Sequence, residues 1–188
     1  MSSKKEIIYN AAAKLFRDKG YKSASVRDLA KAVNLQASSL YSHIGSKEEI
    51  LREICFTNAH RFVKGMDQVE IEGGTTIDKI RALIALHVKI ATEDTTSVTV
   101  FNGEWKHLSE PYLSDFLKLR KNYEKRFRAI IAAGVKGGEL KDVNVNTAFF
   151  MILTSIQWLH FWYDAEKNMD IEKLQLDIEK ILIKGLQN

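Results

Sequence analysis

Proline is nearly missing from this chain. Pro111 is the only one among 188 residues, whereas a loop-rich or all-β chain of that size normally carries several. A fixed φ and a missing N–H suit turns and exclude helix interiors. The shortage points to long, uninterrupted helices. Cysteine is equally scarce: Cys55 stands alone, which excludes an intrachain disulfide and any zinc cage built from several thiolates, and suits a reducing cytoplasm. A secretory leader is not expected, because residues 1–8 hold no apolar core followed by a small-residue cleavage site. A membrane span is not expected either. Val143 to Tyr163 contains no formally charged residue, but Asn144, Asn146, Thr147, Thr154, Ser155, Gln157 and His160 interrupt the segment, and each would need a partner in hydrocarbon. A buried helix accounts for it better. Internal repeats, low-complexity stretches, a Gly-rich phosphate loop, a His-Glu-x-x-His motif and a nucleophile elbow are all missing as well, which removes the usual signatures of an enzyme.

What is present is an uneven charge. Through Lys47 there are nine Lys and Arg against three acids, a net of +6; from Glu48 onward 19 bases face 21 acids, a net of −2. The overall +4 therefore conceals a basic N-terminal quarter on a slightly acidic body, the pattern of a polyanion-binding head.

Apolar spacing predicts an all-α chain of about nine helices. Ile7, Ile8, Ala11, Ala12, Leu15 and Phe16 form one stripe over Lys4 to Asp18, with Gly20 as a stop. Ser25 and Asp28 have capping-box spacing ahead of a short helix that buries Val26, Leu29, Ala30 and Val33. Asn34 tolerates the left-handed turn that follows, and a third helix runs from Gln36 or Ala37 to Ile44. Ser46-Lys47-Glu48-Glu49 opens a long fourth helix reaching about Val69, and the Gly-Gly of residues 73–74 marks a loop. Further helices are expected near Ile77 to Thr92, Thr95 to His107, Tyr112 to Val135, Val145 to Asp164 and Ile171 to Leu186, with Lys167-Asn168 in the last loop. The expected domains are residues 1–46 and 47–188, linked by the fourth helix.

The second and third helices have helix-turn-helix length and spacing, with Ala30 small enough for a close crossing. The third helix would then present Gln36, Ala37, Ser38, Ser39, Tyr41, Ser42 and His43. All are short or hydrogen-bonding and none is acidic, which suits a groove lined by base edges and phosphates.

Ser25-Val26-Arg27-Asp28-Leu29-Ala30-Lys31, Asn34 through Ile44, and Lys47-Glu48-Glu49-Ile50-Leu51 together resemble the DNA-binding signature of TetR-type transcriptional regulators. The chain departs from that pattern at Asn34, Ser38 and Ile44, where Gly, Gly and Phe are usual. The resemblance implies a homodimer on double-stranded operator DNA, with no membrane role and no cofactor. It assigns phosphate contacts to Tyr41, His43 and Lys47, base-edge or nearby backbone contacts to Gln36, Ala37 and Ser39, and places Ser25, Arg27 and Ser38 in the same interface. Dimerisation in the family uses the last two long helices, which here offer Phe149, Leu153, Ile156 and His160 with Leu174, Ile178 and Ile181.

The body collects aromatics, and Phe101, Trp105, Tyr123, Phe127, Trp158, Phe161 and Trp162 are candidates to line an effector pocket. On the seventh helix Arg120 stands within the stripe Phe116, Tyr123, Phe127, Ile130. A guanidinium buried there needs either an internal carboxylate such as Glu104 or an acidic ligand. Phe116 through Glu124, the turn from Gly134 to Leu140, Trp158 and Trp162-Tyr163 resemble a branch of the family whose effectors include acyl-coenzyme A thioesters. Lys118, Lys121, Lys125 and Arg128 share one side, as a solvated face does. Two other readings stay open: a helical-bundle enzyme or carrier, for which Glu104 and His107 have di-iron spacing, and a constitutive DNA-binding protein with a filled core.

Overall fold

The computed structural model describes residues 4–163 and 169–187. Its elements are α1 (Lys4–Lys19), α2 (Val26–Ala32), α3 (Ala37–Tyr41), α4 (Lys47–Glu72), α5 (Thr76–Glu93), α6 (Thr95–Glu104), a 3-10 turn (Trp105–His107), α7 (Tyr112–Lys136), α8 (Val145–Gln157), α9 (Leu159–Trp162) and α10 (Ile171–Lys184). No strand occurs among the described residues; one isolated bridge joins Leu140 and Gln187. Counting α9 as a continuation of α8 gives the expected nine helices among the described residues. The helix expected to run unbroken to Asp164 is interrupted at Trp158, whose N–H still reaches the Thr154 carbonyl at 3.3 Å while Phe161 N–H turns to Trp158 O, three residues back, at 3.0 Å. Asp164, Lys167 and Asn168 lie outside the described residues.

Two compact units emerge. One joins the chain up to Ala59 with Thr96–Leu117, and the other joins His60–Thr95 with the chain from Lys118 onward. The boundary expected between residues 46 and 47 lies inside the first unit, because the opening turns of α4 bury Ile50, Leu51, Ile54 and Cys55 there.

In the first unit α1 buries Ile8, Ala12 and Phe16 and packs on α2, which packs on α3. Gly20 ends α1 at φ +79, a conformation glycine adopts without cost, and its N–H donates to Phe16 O at 2.9 Å. Ser25 caps α2 as the spacing predicts: its Oγ accepts from Asp28 N at 3.1 Å, and the Asp28 carboxylate accepts from Ser25 N at 3.1 Å. The carboxyl of Asp28 is held below its usual range, first by the Ser25 hydroxyl. Asn34 sits at φ +53, the only positive φ outside glycine among the described residues. α3 is shorter than expected. Past Tyr41 the bonding tightens: Ser42 N–H turns back to Ser39 O, and the Ser42 hydroxyl occupies the same carbonyl at 2.7 Å.

The second unit is organised on α5, which contacts α8, α9 and α10. Thr75 and Asp78 form a capping box at its start, and Glu139 accepts from Thr76 N at 2.8 Å. α5 buries Ile80, Leu83, Ile84 and Val88; α7 adds Phe127 and Ile131, and α8 adds Phe149, Ile152, Leu153 and Ile156. α4 approaches α5 so closely at Gly65 that a β-carbon there would overlap the Leu86 side chain. Arg126 of α7 ties α4 with one nitrogen on Asp67 at 2.7 Å and two on Glu70 at 2.6 and 3.0 Å, a forked geometry that suits guanidinium.

Candidate functional site

The helix-turn-helix is built by a few hydrogen bonds. From the positive φ at Asn34 the chain reverses, and Leu35 N–H reaches back to Ala30 O at 2.9 Å. Leu40 and Ile44 are buried, which pins the inner face of α3. Gln36, Ser38, Ser39, Tyr41 and Ser42 are exposed, Ala37 and His43 half-buried. Tyr41 stands out at 53% exposure, since an aromatic ring normally finds cover. Arg27 is exposed on α2, while Ser25 is exposed but occupied by its cap. All nine expected contact residues are thus at least partly open to solvent, and α3 carries no acidic side chain.

Lys47, the ninth, is placed differently. Its ammonium was expected to meet phosphate, yet Nζ donates to Tyr21 O at 2.8 Å and Ala24 O at 2.9 Å, and lies 4.2 Å from the centre of the Tyr21 ring. Two of its three N–H groups are committed. Partial burial lowers its pKa. Lys47 therefore clamps the segment between α1 and α2, closing carbonyls that the turn leaves open. Tyr21, for which the sequence offers no signal, receives this clamp: its N–H donates to Glu104 at 3.2 Å, and its ring stacks on His107 at 5.8 Å. Glu104 and His107 also meet each other at 3.4 Å. The pair with di-iron spacing is thus engaged with the head.

The expected pocket residues divide. In the first unit Phe101 and Trp105 stand on Phe116, with centroids 5.7 and 5.8 Å away, and Phe56 joins from α4. In the second unit the Tyr123 hydroxyl and His87 Nε2 are 2.8 Å apart, inside a cluster with Phe62, Phe127 and Phe149. Burial pushes His87 down to about 3 and the Tyr123 phenol up. Arg120 corrects the expectation: it is exposed rather than buried and bonds Glu124 at 3.0 Å, one turn along the same helix. Its apolar spacing placed it near a stripe without placing it inside. Trp158, Phe161 and Trp162 are exposed, with the first two in contact at 4.7 Å. Lys118, Lys121 and Lys125 are solvated, but Arg128 lies 3.8 Å over the Phe149 ring and bonds Glu124 and Asn146.

The expected dimer residues also divide. Phe149, Leu153, Ile156 and His160 are buried within their own chain, so that half of the expected interface is already core. α8 is apolar nearly all round, and spacing alone does not say which side faces inward. Its outward side carries Phe150 and Met151. On α10, Leu174 and Ile178 are half-buried and Ile181 is 73% exposed.

A capped helix, a tight turn and a short second helix with an exposed neutral polar face define a helix-turn-helix of the kind that enters a DNA groove. Comparison with known proteins agrees. Residues 8–54 match the family described as bacterial regulatory proteins, tetR family, and residues 73–186 match the tetracyclin repressor-like C-terminal domain. The chain belongs to the TetR family of DNA-binding transcriptional regulators. It is 25% identical to the HTH-type transcriptional repressor KstR2 of Rhodococcus jostii over 98% of this chain and 92% of that protein. It is 22% identical to the fatty acid metabolism regulator protein of Bacillus subtilis over 96% and 94%. Among solved structures, the TetR family regulator PfmR of Thermus thermophilus shares 30% identity at a TM-score of 0.81, covering 94% of this chain and 97% of that one. AibR, solved with isovaleryl coenzyme A and operator DNA, shares the fold at a TM-score of 0.81 and 19% identity, covering 95% and 97%. Among the described residues no helix is long and apolar enough to cross a membrane.

Proposed function

We propose that the chain is a cytoplasmic, effector-responsive transcriptional repressor that binds a pseudo-palindromic operator as a homodimer and performs no catalysis. Residues 1–46 are the DNA-reading head and residues 47–188 the effector-binding and dimerising body. The observation that carries this reading is the exposed face of α3, where Gln36, Ser38, Ser39 and Tyr41 reach solvent over a buried Leu40. Gln36 and Ala37 face base edges, Tyr41, His43 and Arg27 face phosphates, and Lys47 shapes the head that presents them.

The partner is a second copy of the chain. Phe150, Met151, Trp158, Phe161, Trp162, Leu176 and Ile181 are large apolar side chains left exposed on α8, α9 and α10 and at the Trp158 break. That is more than isolated surface hydrophobes account for. In place of the buried Phe149, Leu153 and Ile156, this face supplies the two-fold contact, joined by Leu174 and Ile178. Phe101 and Trp105 line the effector site, and an acyl-coenzyme A is the effector class, on the strength of the fatty acid metabolism regulator and of the thioester-bound AibR.

Mobility-shift titration on the DNA upstream of the protein's own gene tests the proposal, with a panel of acyl-coenzyme A thioesters added to the complex. A retarded band that one thioester releases is expected. A chain that shows no preference for that DNA over an unrelated duplex contradicts the repressor reading.

A further inference from the structure

Asn58 sits where α4 should carry an apolar residue. It follows the buried Ile54 by one turn, and it is only 2% exposed. A leucine there would satisfy helix propensity and burial together, so an amide at this position is a local conflict of the sort that collects at functional sites. One end of the carboxamide is accounted for: Nδ2 donates to Ile54 O at 3.0 Å and to Ser97 Oγ of α6 at 3.2 Å. The other end is not, because the buried Oδ1 has no hydrogen-bond partner among the described residues. Turning the amide over would not help. The Ile54 carbonyl is an acceptor and would then face a second acceptor, so the backbone itself fixes which end is left over.

One turn beyond Ser97, α6 becomes aromatic. Ser97 and Phe101 share a face of α6 one turn apart, and Phe101 stands with Trp105 and Phe56 around Phe116. A buried carbonyl oxygen is costly unless something donates to it. We infer that Asn58 reads a hydrogen-bond donor, an O–H or N–H, on the otherwise apolar acyl part of the effector, with Ile54 and Ser97 holding its amide in the receiving orientation. The inference rests on the effector-responsive reading and narrows it. A plain hydrocarbon chain leaves Oδ1 unsatisfied, whereas a chain bearing a hydroxyl or amide satisfies it.

The test compares straight-chain primary alcohols, hexanol to hexadecanol, with the methyl ethers of the same alcohols, which keep the chain and the oxygen but lose the donor. Binding to the full-length protein is measured by thermal shift and then by calorimetry. At the best chain length the alcohol should bind about tenfold tighter than its ether, the size of one neutral hydrogen bond. Asn58→Leu should bind both equally. Asn58→Ala removes the carboxamide without adding bulk and should do the same. A purely structural Asn58 would weaken both probes together and leave their ratio unchanged in the variants. Equal binding of alcohols and ethers by the wild type, or a preference that survives both substitutions, overturns the inference. If the thioester panel releases DNA while the alcohol and ether series do not differ, the repressor reading stands and only the role of Asn58 falls. If no probe of any kind binds or releases DNA, both fall.

Discussion

α3 and the α8–α10 region both leave large side chains in water, but of opposite kinds. On α3 and its cap the exposed set is Gln36, Ser38, Ser39 and a tyrosine, all able to exchange water for another hydrogen-bonding surface. On α8–α10 it is Phe150, Met151, Trp158, Phe161, Trp162, Leu176 and Ile181, which gain nothing from water and everything from burial. The difference fits the proposed roles: a neutral polar face on a basic head suits a wet, charged groove, and an apolar face suits a copy of itself.

The sharpest way to break this comparison is to set neighbours on α8 against each other. Phe149→Ala should lower folding stability by about 3–5 kcal/mol in urea titration, because it empties a packed core position. Phe150→Ala, one residue on, should leave the isolated subunit nearly as stable and weaken association instead. Equal loss from both would show that α8 has no inside and outside. Next in size, Ile181→Asp should weaken dimerisation by about a hundredfold in sedimentation equilibrium, since it buries a charge without a partner. On the head, Tyr41→Ala should lower operator affinity by about tenfold and leave thermal stability unchanged. If Tyr41 were instead a packing residue, the melting temperature would fall with the affinity.

The body also carries a pH signature at a buried imidazole. His87 is buried beside Tyr123, and its pKa is lowered from 6.5 to about 3. Between those values the unfolded chain binds the proton and the folded chain does not. Stability is therefore full above about 6.5 and lost as the pH falls toward 3. Denaturant titrations across that window should show a slope approaching one proton, and His87→Gln should flatten it.

Much of this was legible in the residues, and the exceptions have identifiable causes. The fold of the head could be read nearly in full because its signals are local: a capping box within four residues at Ser25, a left-handed turn at Asn34, a buried Leu40 among open neighbours on α3. Each is set by backbone chemistry that short spacing reveals. The clamp made by Lys47 was not legible because its partners, Tyr21 O and Ala24 O, are main-chain atoms more than twenty residues away, and no side-chain pattern advertises a carbonyl. Arg120 was misjudged because helical spacing gives a direction and not a depth, and Glu124, four residues on, offers it a partner in water. On α8 the run Phe149-Phe150-Met151-Ile152-Leu153 has no polar side to orient it, so its inner and outer faces were exchanged. Asn58 did leave a signal, a single amide in the apolar series Ile54, Cys55, Phe62, although its meaning depended on which of its two polar atoms found a partner.

The division of labour between the two surfaces is tested most directly by counting chains on DNA. Native mass spectrometry of the protein bound to its own upstream DNA should show two chains on one site, and Ile181→Asp should bind the same DNA far more weakly. A single chain bound at full affinity, unchanged by Ile181→Asp, would contradict the account.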